Sequence, residues 1–441
     1  MPMKIYFVSL GCDKNLVDSE HMLSELAEDY EIVDSIEECD IAIVNTCAFI
    51  KDAKEESINT ILSLAEQKKE NIKKLVITGC LAQRYYKDLT DLIPEIDGYI
   101  GISALNNIRE DMKKIVEGEK LYDLPDINEK QHASAKRYIN PPFHTSYLKI
   151  AEGCDKRCTY CSIPLIRGRY RSVPMEELVE EAGFLAKNEV KELIIVAQET
   201  TVYGVDLYGK KSLVELINKI SEIDGIEWIR IMYAYPEEID DELIDLIRDN
   251  KKVCHYLDIP IQHSSDKILK KMGRRTNKND LLNVINNIRG KIPDISLRTS
   301  LITGFPGEDE EDIEDLLDFV KEVGFDRLGV FTFSREEGTP AYNFDNRVNA
   351  RTAASRQKKI MKLQKDISLE KNRSFVGKTL RCLVEGKDID NDVYVARSYK
   401  DAPDIDGCVF IKADYEILSG TFVDVKITDY NDYDLIGEII E

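Results

Sequence analysis

Three cysteines fall close together in the run GCDKRCTYC: Cys154, Cys158 and Cys161, spaced C-x-x-x-C-x-x-C. Such a loop presents three thiolates to one metal centre, and the run holds no fourth. A 4Fe-4S cluster normally takes four cysteines, so a three-cysteine loop leaves one iron open to a ligand other than protein. The rival readings are a structural zinc loop and buried free thiols. Structural zinc closes with four ligands, usually as two C-x-x-C pairs, and neither a second pair nor an H-x-x-x-H lies nearby. The spacing therefore favours an iron-sulfur centre.

A second set is scattered. Cys12 follows SLG, Cys47 follows VNT and Cys80 follows ITG. Each closes an apolar run (4–10, 40–46 and 74–79) with the look of a buried parallel strand, and the segments between carry helical periodicity. In an open α/β sheet the carboxyl ends of the strands line one crevice, so three strand-end cysteines converge there and make a second metal site. Ordinary core thiols are the competing reading. Cys39, Cys254, Cys382 and Cys408 show no such arrangement and are read as structural.

The elements that must position these groups fall into three parts, an α/β fold overall. Residues 1–120 form an open, Rossmann-like α/β domain. A stretch rich in Lys, His and Pro (119–143) reads as a linker, because proline stops regular structure. Within 140–372, strand-then-helix units recur six times, with strands in SYLKIAE, ELIIVAQ, WIRIMYA, YLDIP, SLRTSLITG and RLGVFTF. Six units predict a partial (β/α)6 barrel with its site at the carboxyl ends of the strands, and the three-cysteine loop follows the first of them. A charged helix from Arg351 to about Asn372, with Ile360, Leu363, Ile367 and Leu369 as its apolar positions, packs the barrel. Residues 374–441 alternate short strands and turns, a small antiparallel β-barrel.

At 441 residues the chain is long enough for two or three cores. Ten cysteines, with no apolar N-terminal segment and no long apolar span, argue for a reducing cytoplasm and no membrane role. The formal net charge of −22 favours a basic protein partner over nucleic acid as the direct substrate.

The three-cysteine loop resembles that of radical S-adenosylmethionine (SAM) enzymes, and SLGCDKNLVDSE (9–20), Cys47, Cys80, the loop and the C-terminal region together resemble the methylthiotransferase family of that superfamily. The resemblance spans essentially the whole chain. It implies two 4Fe-4S clusters, one on Cys154, Cys158 and Cys161 that binds SAM through its open iron, and one on Cys12, Cys47 and Cys80 that carries or supplies sulfur. One SAM would provide a 5'-deoxyadenosyl radical and another the methyl group, with an external electron donor and sulfur source. Tyr160 stands where the family carries an aromatic against the adenine, and a plain packing role fits it equally well. Gln198 and Glu199 stand where the family binds the methionine amino group, although AQET departs from the superfamily's Gly-Gly-Glu form. Gly304, Pro306 and Gly307 in ITGFPGE suit close backbone approach to a ligand; an ordinary strand-to-helix turn would look the same. Asp258, Gln262 and His263 are candidates for lining the substrate cavity, with a structural role for His263 equally open. No residue is assigned to proton transfer.

The C-terminal barrel resembles the TRAM domain, which grips RNA in tRNA-modifying members. From Lys378 onward it carries seven Lys or Arg against fifteen Asp or Glu, a poor surface for phosphates. DAPDIDG (401–407) and SLGCDKN resemble RimO-type enzymes, which methylthiolate a protein at the β-carbon of an aspartate in the twelfth protein of the small ribosomal subunit. Asp401, Asp404 and Asp406 are then expected to face that basic partner. The alternatives are a tRNA adenosine methylthiotransferase with the same clusters and a non-catalytic iron-sulfur sensor or RNA-binding module.

Overall fold

The strand Ile41–Thr46 is buried at every position, and its alternate side chains feed two cores: Ala42 and Val44 enter one, Ile41 and Ile43 the other. A strand covered on both faces is the signature of a parallel α/β sheet. The structure, a computed structural model, describes residues 2–129 and 135–440; residues 130–134 of the expected linker lie outside them. The first sheet holds β1 (Lys4–Ser9), β2 (Glu31–Val33), β3 (Ile41–Thr46), β4 (Lys74–Thr78), β5 (Gly98–Ile100) and β6 (Leu121–Asp123). All pair in parallel, in the order β2-β1-β3-β4-β5-β6. The chain reverses its direction of sheet growth between β1 and β3, and a crevice opens at such a switch point. Cys12 and Cys47 follow those two strands.

The second sheet is also all parallel and runs in chain order: β7 (Thr145–Lys149), then, after the short antiparallel pair β8 (Ala151–Glu152) and β9 (Arg171–Ser172), β10 (Glu192–Val196), β11 (Trp228–Ile231), β12 (Val253–Asp258), β13 (Ser296–Thr303) and β14 (Arg327–Thr332). Six parallel strands with helices outside make the open barrel expected from the repeat of units. The helix Ala350–Arg373 packs on it through Ala353, Arg356, Ile360, Gln364 and Ser368, while the buried Asn372 donates to the Asn431 carbonyl (3.3 Å). This stripe is more polar than the one read from the sequence. Gln364 donates to the Phe325 carbonyl (2.9 Å), while Leu369 is exposed.

The C-terminal strands β15 (Thr379–Asp388), β16 (Val393–Ser398), β17 (Val409–Lys412), β18 (Phe422–Tyr430) and β19 (Leu435–Ile439) close into a barrel in the order β15-β16-β17-β19-β18. It is not wholly antiparallel. The last strand returns between β17 and β18, so that β17 and β19 pair in parallel while the other pairings are antiparallel. No helix among the described residues is long and apolar enough to cross a membrane.

The segment expected to face a partner is instead mostly an internal latch. Asp401 is buried and accepts from Arg327 Nε (3.1 Å) and Ser398 (2.8 Å). The Asp406 carboxylate accepts from the Tyr256 hydroxyl (2.8 Å) and lies 3.5 Å from Arg298. Of the three aspartates, Asp404 alone is exposed. Beside them Arg397 and Arg230 share the buried Glu192 carboxylate at 2.6 and 2.9 Å, and Trp228 meets Phe422 edge-on at 4.9 Å. The small barrel thus seals the mouth of the open barrel away from the cysteine loop. Breaking a buried pair strands a charge and costs roughly 3–5 kcal/mol. Asp401→Asn should accordingly lower the urea midpoint followed by the fluorescence of Trp228, the chain's single tryptophan. A wild-type midpoint would show that the pair does not hold the barrels together.

Candidate active site between two cysteine sets

Cys154, Cys158 and Cys161 lie on the loop that leaves β8, at the carboxyl mouth of the open barrel. Four backbone bonds shape it: Cys154 N–H to the Gly168 carbonyl (3.2 Å), Thr159 N–H to Met272 (2.9 Å), Cys161 N–H to Cys158 (3.1 Å) and Ala341 N–H to Thr159 (2.9 Å). Gly153 is required at its start, because φ is +78° and a Cβ would strike the Arg169 carbonyl. Cys154 and Cys158 are buried and Cys161 half-buried. Burial pushes the Cys154 thiol up to about 11 and the Cys161 thiol higher still, each aggravated by the neighbouring thiols. The Arg274 guanidinium lies 4.0 Å from the Cys158 sulfur and over the Tyr235 ring, whose hydroxyl is 3.7 Å from the same sulfur.

The second set lies at the carboxyl ends of β1, β3 and β4. Cys12 is the N-cap of helix Asp13–Leu26 and Cys80 lies in the first turn of helix Gly79–Leu92, two places where the helix dipole favours a thiolate. Gly11, with φ of +94°, presses so closely on Cys47 that a Cβ would lie 2.7 Å from the Cys47 Cβ. Burial pushes the Cys80 thiol up to about 12 against the pull of the Arg167 guanidinium, and Cys47 and Cys12 add to the rise. Asn15 ties the crevice together, donating to the carbonyls of Leu10 (2.9 Å) and Thr46 (3.0 Å) and accepting from Arg167.

No group of three His, Cys, Asp or Glu among the described residues is placed to hold a single metal ion. Cys47, Cys80, Cys154 and Cys158 are buried, Cys161 is half-buried and Cys12 is exposed; all-sulfur sets whose thiols raise one another, with an arginine beside each, fit an iron-sulfur cluster, whose irons would neutralise the thiolates.

The two sets are joined by side chains. Arg167 Nη1 donates to Asp18 (2.8 Å) and Glu152 (2.9 Å), and Gln198 Nε2 donates to the other Glu152 oxygen (2.8 Å). Although burial opposes it, Arg167 and Lys149 hold the Glu152 carboxyl well below the usual range. On the far side the loop after β11 spans both sets. Tyr233 donates to Asp13 (3.2 Å) beneath the Lys14 ammonium, while Tyr235 reaches Cys158. Tyr233 has a φ of +60°, and Asp258, paired with Arg298 at 2.8 Å, accepts its N–H at 3.2 Å.

Gln198 and Glu199 part company. Gln198 points to Glu152, whereas Glu199 accepts from the Thr201 N–H (2.9 Å) and lies 3.7 Å from Lys156 of the cysteine loop. Gln198 Oε1 and Glu199 Oε2 are both buried without a hydrogen-bond partner, and burial pushes the Glu199 carboxyl up to about 7. Two acceptors without a hydrogen bond beside the loop, one of them ion-paired with Lys156, fit the donors of an amino group. Tyr160 packs edge-on against Phe305 (6.5 Å), which joins it to the 304–307 turn. In that turn the Gly304 N–H is taken by Glu308 (2.9 Å), and the close approach its missing Cβ permits is to Ala353 of the long helix. Pro306 is buried in the same turn, and the Gly307 Cα faces the Lys271 ammonium. His263 Nδ1 accepts from the N–H groups of Ser264 and Ser265 (3.0 Å each), which leaves Nε2 protonated and 3.7 Å from Glu308. Gln262 has a φ of +73° and bridges to Leu301. The structure adds Asn15, Arg167, Arg274, Tyr233 and Tyr235 to the residues singled out from sequence.

The family model "Radical SAM superfamily" matches residues 148–320, "Uncharacterized protein family UPF0004" residues 4–101 and "TRAM domain" residues 376–440. The chain is 55% identical to the ribosomal protein uS12 methylthiotransferase RimO of Lachnoclostridium phytofermentans over 99% of each chain. It is 51% identical to the protein of the same name from Acetivibrio thermocellus, over 100% of this chain and 99% of that one. In fold it is similar to a radical SAM methyltransferase, TsrM, from Kitasatospora setae, with a TM-score of 0.57 and 13% identity over 88% of this chain and 79% of that one. With half of its residues identical from end to end, the chain belongs to the RimO family of methylthiotransferases, enzymes built on a radical SAM domain.

Proposed function

We propose that the chain methylthiolates the ribosomal protein uS12, replacing a hydrogen on the β-carbon of an aspartate by a methylthio group. The observation that carries the reading is the pair of three-cysteine sets, bridged on one side by Arg167 and Glu152 and on the other by the Tyr233–Tyr235 loop. Bound to these sets, 4Fe-4S clusters together with SAM supply a hydrogen-abstracting radical on the barrel side and sulfur with its methyl group on the other. Cys154, Cys158 and Cys161 would hold the first cluster, the one that works with SAM. Gln198 Oε1 and Glu199 Oε2 take the SAM amino group, and Tyr160 offers its ring to the adenine. Cys12, Cys47 and Cys80 would hold the second cluster. Arg274 and Arg167 offset the negative charge of the two sets. Electrons and sulfur come from outside the chain, in a cytoplasmic setting where thiols stay reduced.

The preference for a protein over a tRNA rests on the acidic C-terminal barrel and on the names of the relatives. Reconstituted enzyme given SAM, dithionite and either purified uS12 or bulk tRNA tests it. The reading expects 5'-deoxyadenosine and a methylthio product on uS12. A product on tRNA adenosine alone would reverse the substrate.

A further inference from the structure

The radical and the sulfur must reach the same substrate carbon, so the target side chain has to lie between the two cysteine sets. The Tyr233–Tyr235 loop marks that place, touching Asp13 and Lys14 beside Cys12 at one end and the Cys158 sulfur at the other. An aspartate entering there brings a carboxylate beside the buried Lys14 and the half-buried Tyr233, where an unpaired charge is costly. It needs a cation within reach of its oxygens while its β-carbon faces the barrel.

The basic groups around the sets differ in how far they are already engaged. Arg167 is held by Asn15, Asp18 and Glu152, and Lys149 by Asp18 and Glu152. Lys156 has three carboxylates, Glu199, Glu237 and Glu238, within 3.7 Å. Arg274 donates to the Pro260 carbonyl and covers Tyr235. Lys14 is different. Among the described residues its only carboxylate within salt-bridge range is its own neighbour Asp13, at 2.9 Å, and the ammonium otherwise rests over the Tyr233 ring, 3.4 Å from the centroid. It is buried, with 7% of its surface exposed. An ammonium has three donors, and an aromatic face is a weaker partner for them than a carboxylate.

We infer that Lys14 binds the carboxylate of the target aspartate and sets the enzyme's specificity for it, with Tyr233 as the floor on which the ammonium rests between turnovers. This inference rests on the proposed uS12 reaction. The substrate carboxylate takes donors of Lys14 that now face the ring, and Asp13 keeps the ammonium at the rim of the Cys12 loop. The geometry therefore discriminates an aspartate from its uncharged isostere asparagine at the residue to be modified.

The test measures binding of two fluorescent peptides carrying the uS12 target sequence, one with the aspartate and one with asparagine in its place, to cluster-reconstituted enzyme without reductant. Wild type should prefer the aspartate peptide by roughly tenfold to a hundredfold, the worth of a charge-assisted hydrogen bond. Lys14→Met should lose most of that preference, and Lys14→Arg, which keeps the charge, should retain part of it. An unchanged preference in Lys14→Met, or an equal loss of both peptides in Lys14→Met and Lys14→Arg, overturns the role of Lys14. If wild type modifies no uS12 under turnover conditions, the proposed reaction itself fails, and the inference with it.

Discussion

Replacing Cys154, Cys158 and Cys161 together with alanine is expected to abolish SAM cleavage and to remove about half of the iron held by the reconstituted protein, since two cubanes become one. The loop that carries them is shaped by backbone bonds to Gly168 and Met272 and not by the thiols, so the barrel should keep its fold. The second set lies at the ends of β1, β3 and β4 in a different sheet with its own two cores, and should still take up iron. Iron quantitation and 5'-deoxyadenosine measurement on one preparation check both halves. Full wild-type iron with continued 5'-deoxyadenosine formation would remove this set from the chemistry.

The complementary change, Cys12, Cys47 and Cys80 to alanine, should have the opposite signature. SAM cleavage should persist, because the loop, Gln198, Glu199 and Arg274 are untouched, while methylthio product disappears with the sulfur's site. The two triple variants therefore separate radical formation from sulfur insertion. Unimpaired product from the second variant would show that the strand-end cysteines are only core thiols.

The placement of the six cysteines in the fold was legible in the sequence because each set is tied to a local pattern: a compact spacing for one, and an apolar run followed by cysteine for the other. The short strands β2, β5 and β6 were not, since three residues carry no periodicity. The ends of β1 and β3 could be placed in one crevice before the order of the sheet was known, because parallel strands share a carboxyl edge. What joins the sets could not. Arg167 lies near Cys161 in sequence, but its partners Asn15 and Asp18 come from about 150 residues earlier. Tyr233 owes its place to a positive φ fixed by Asp258, which no propensity announces. DAPDIDG pointed to the right family, but the expectation that its aspartates face a partner failed for a related reason. Its acidity is visible locally, whereas the arginines that bury it, Arg327 and Arg298, stand on strands of another sheet. A run of charge in one segment looks like a solvated face until its partner is located.

The central claim is that the two cysteine sets act together on one residue of a ribosomal protein, and mass spectrometry tests it most directly. Ribosomal proteins and tRNA from cells with and without the gene would be compared, with the cells lacking it carrying back wild type or either triple-cysteine variant. The account predicts that uS12 carries one methylthio group on an aspartate with wild type, that the group is missing without the gene and with both variants, and that tRNA is the same throughout. A uS12 mass that does not change with the gene, together with a methylthio group lost from tRNA, would contradict it.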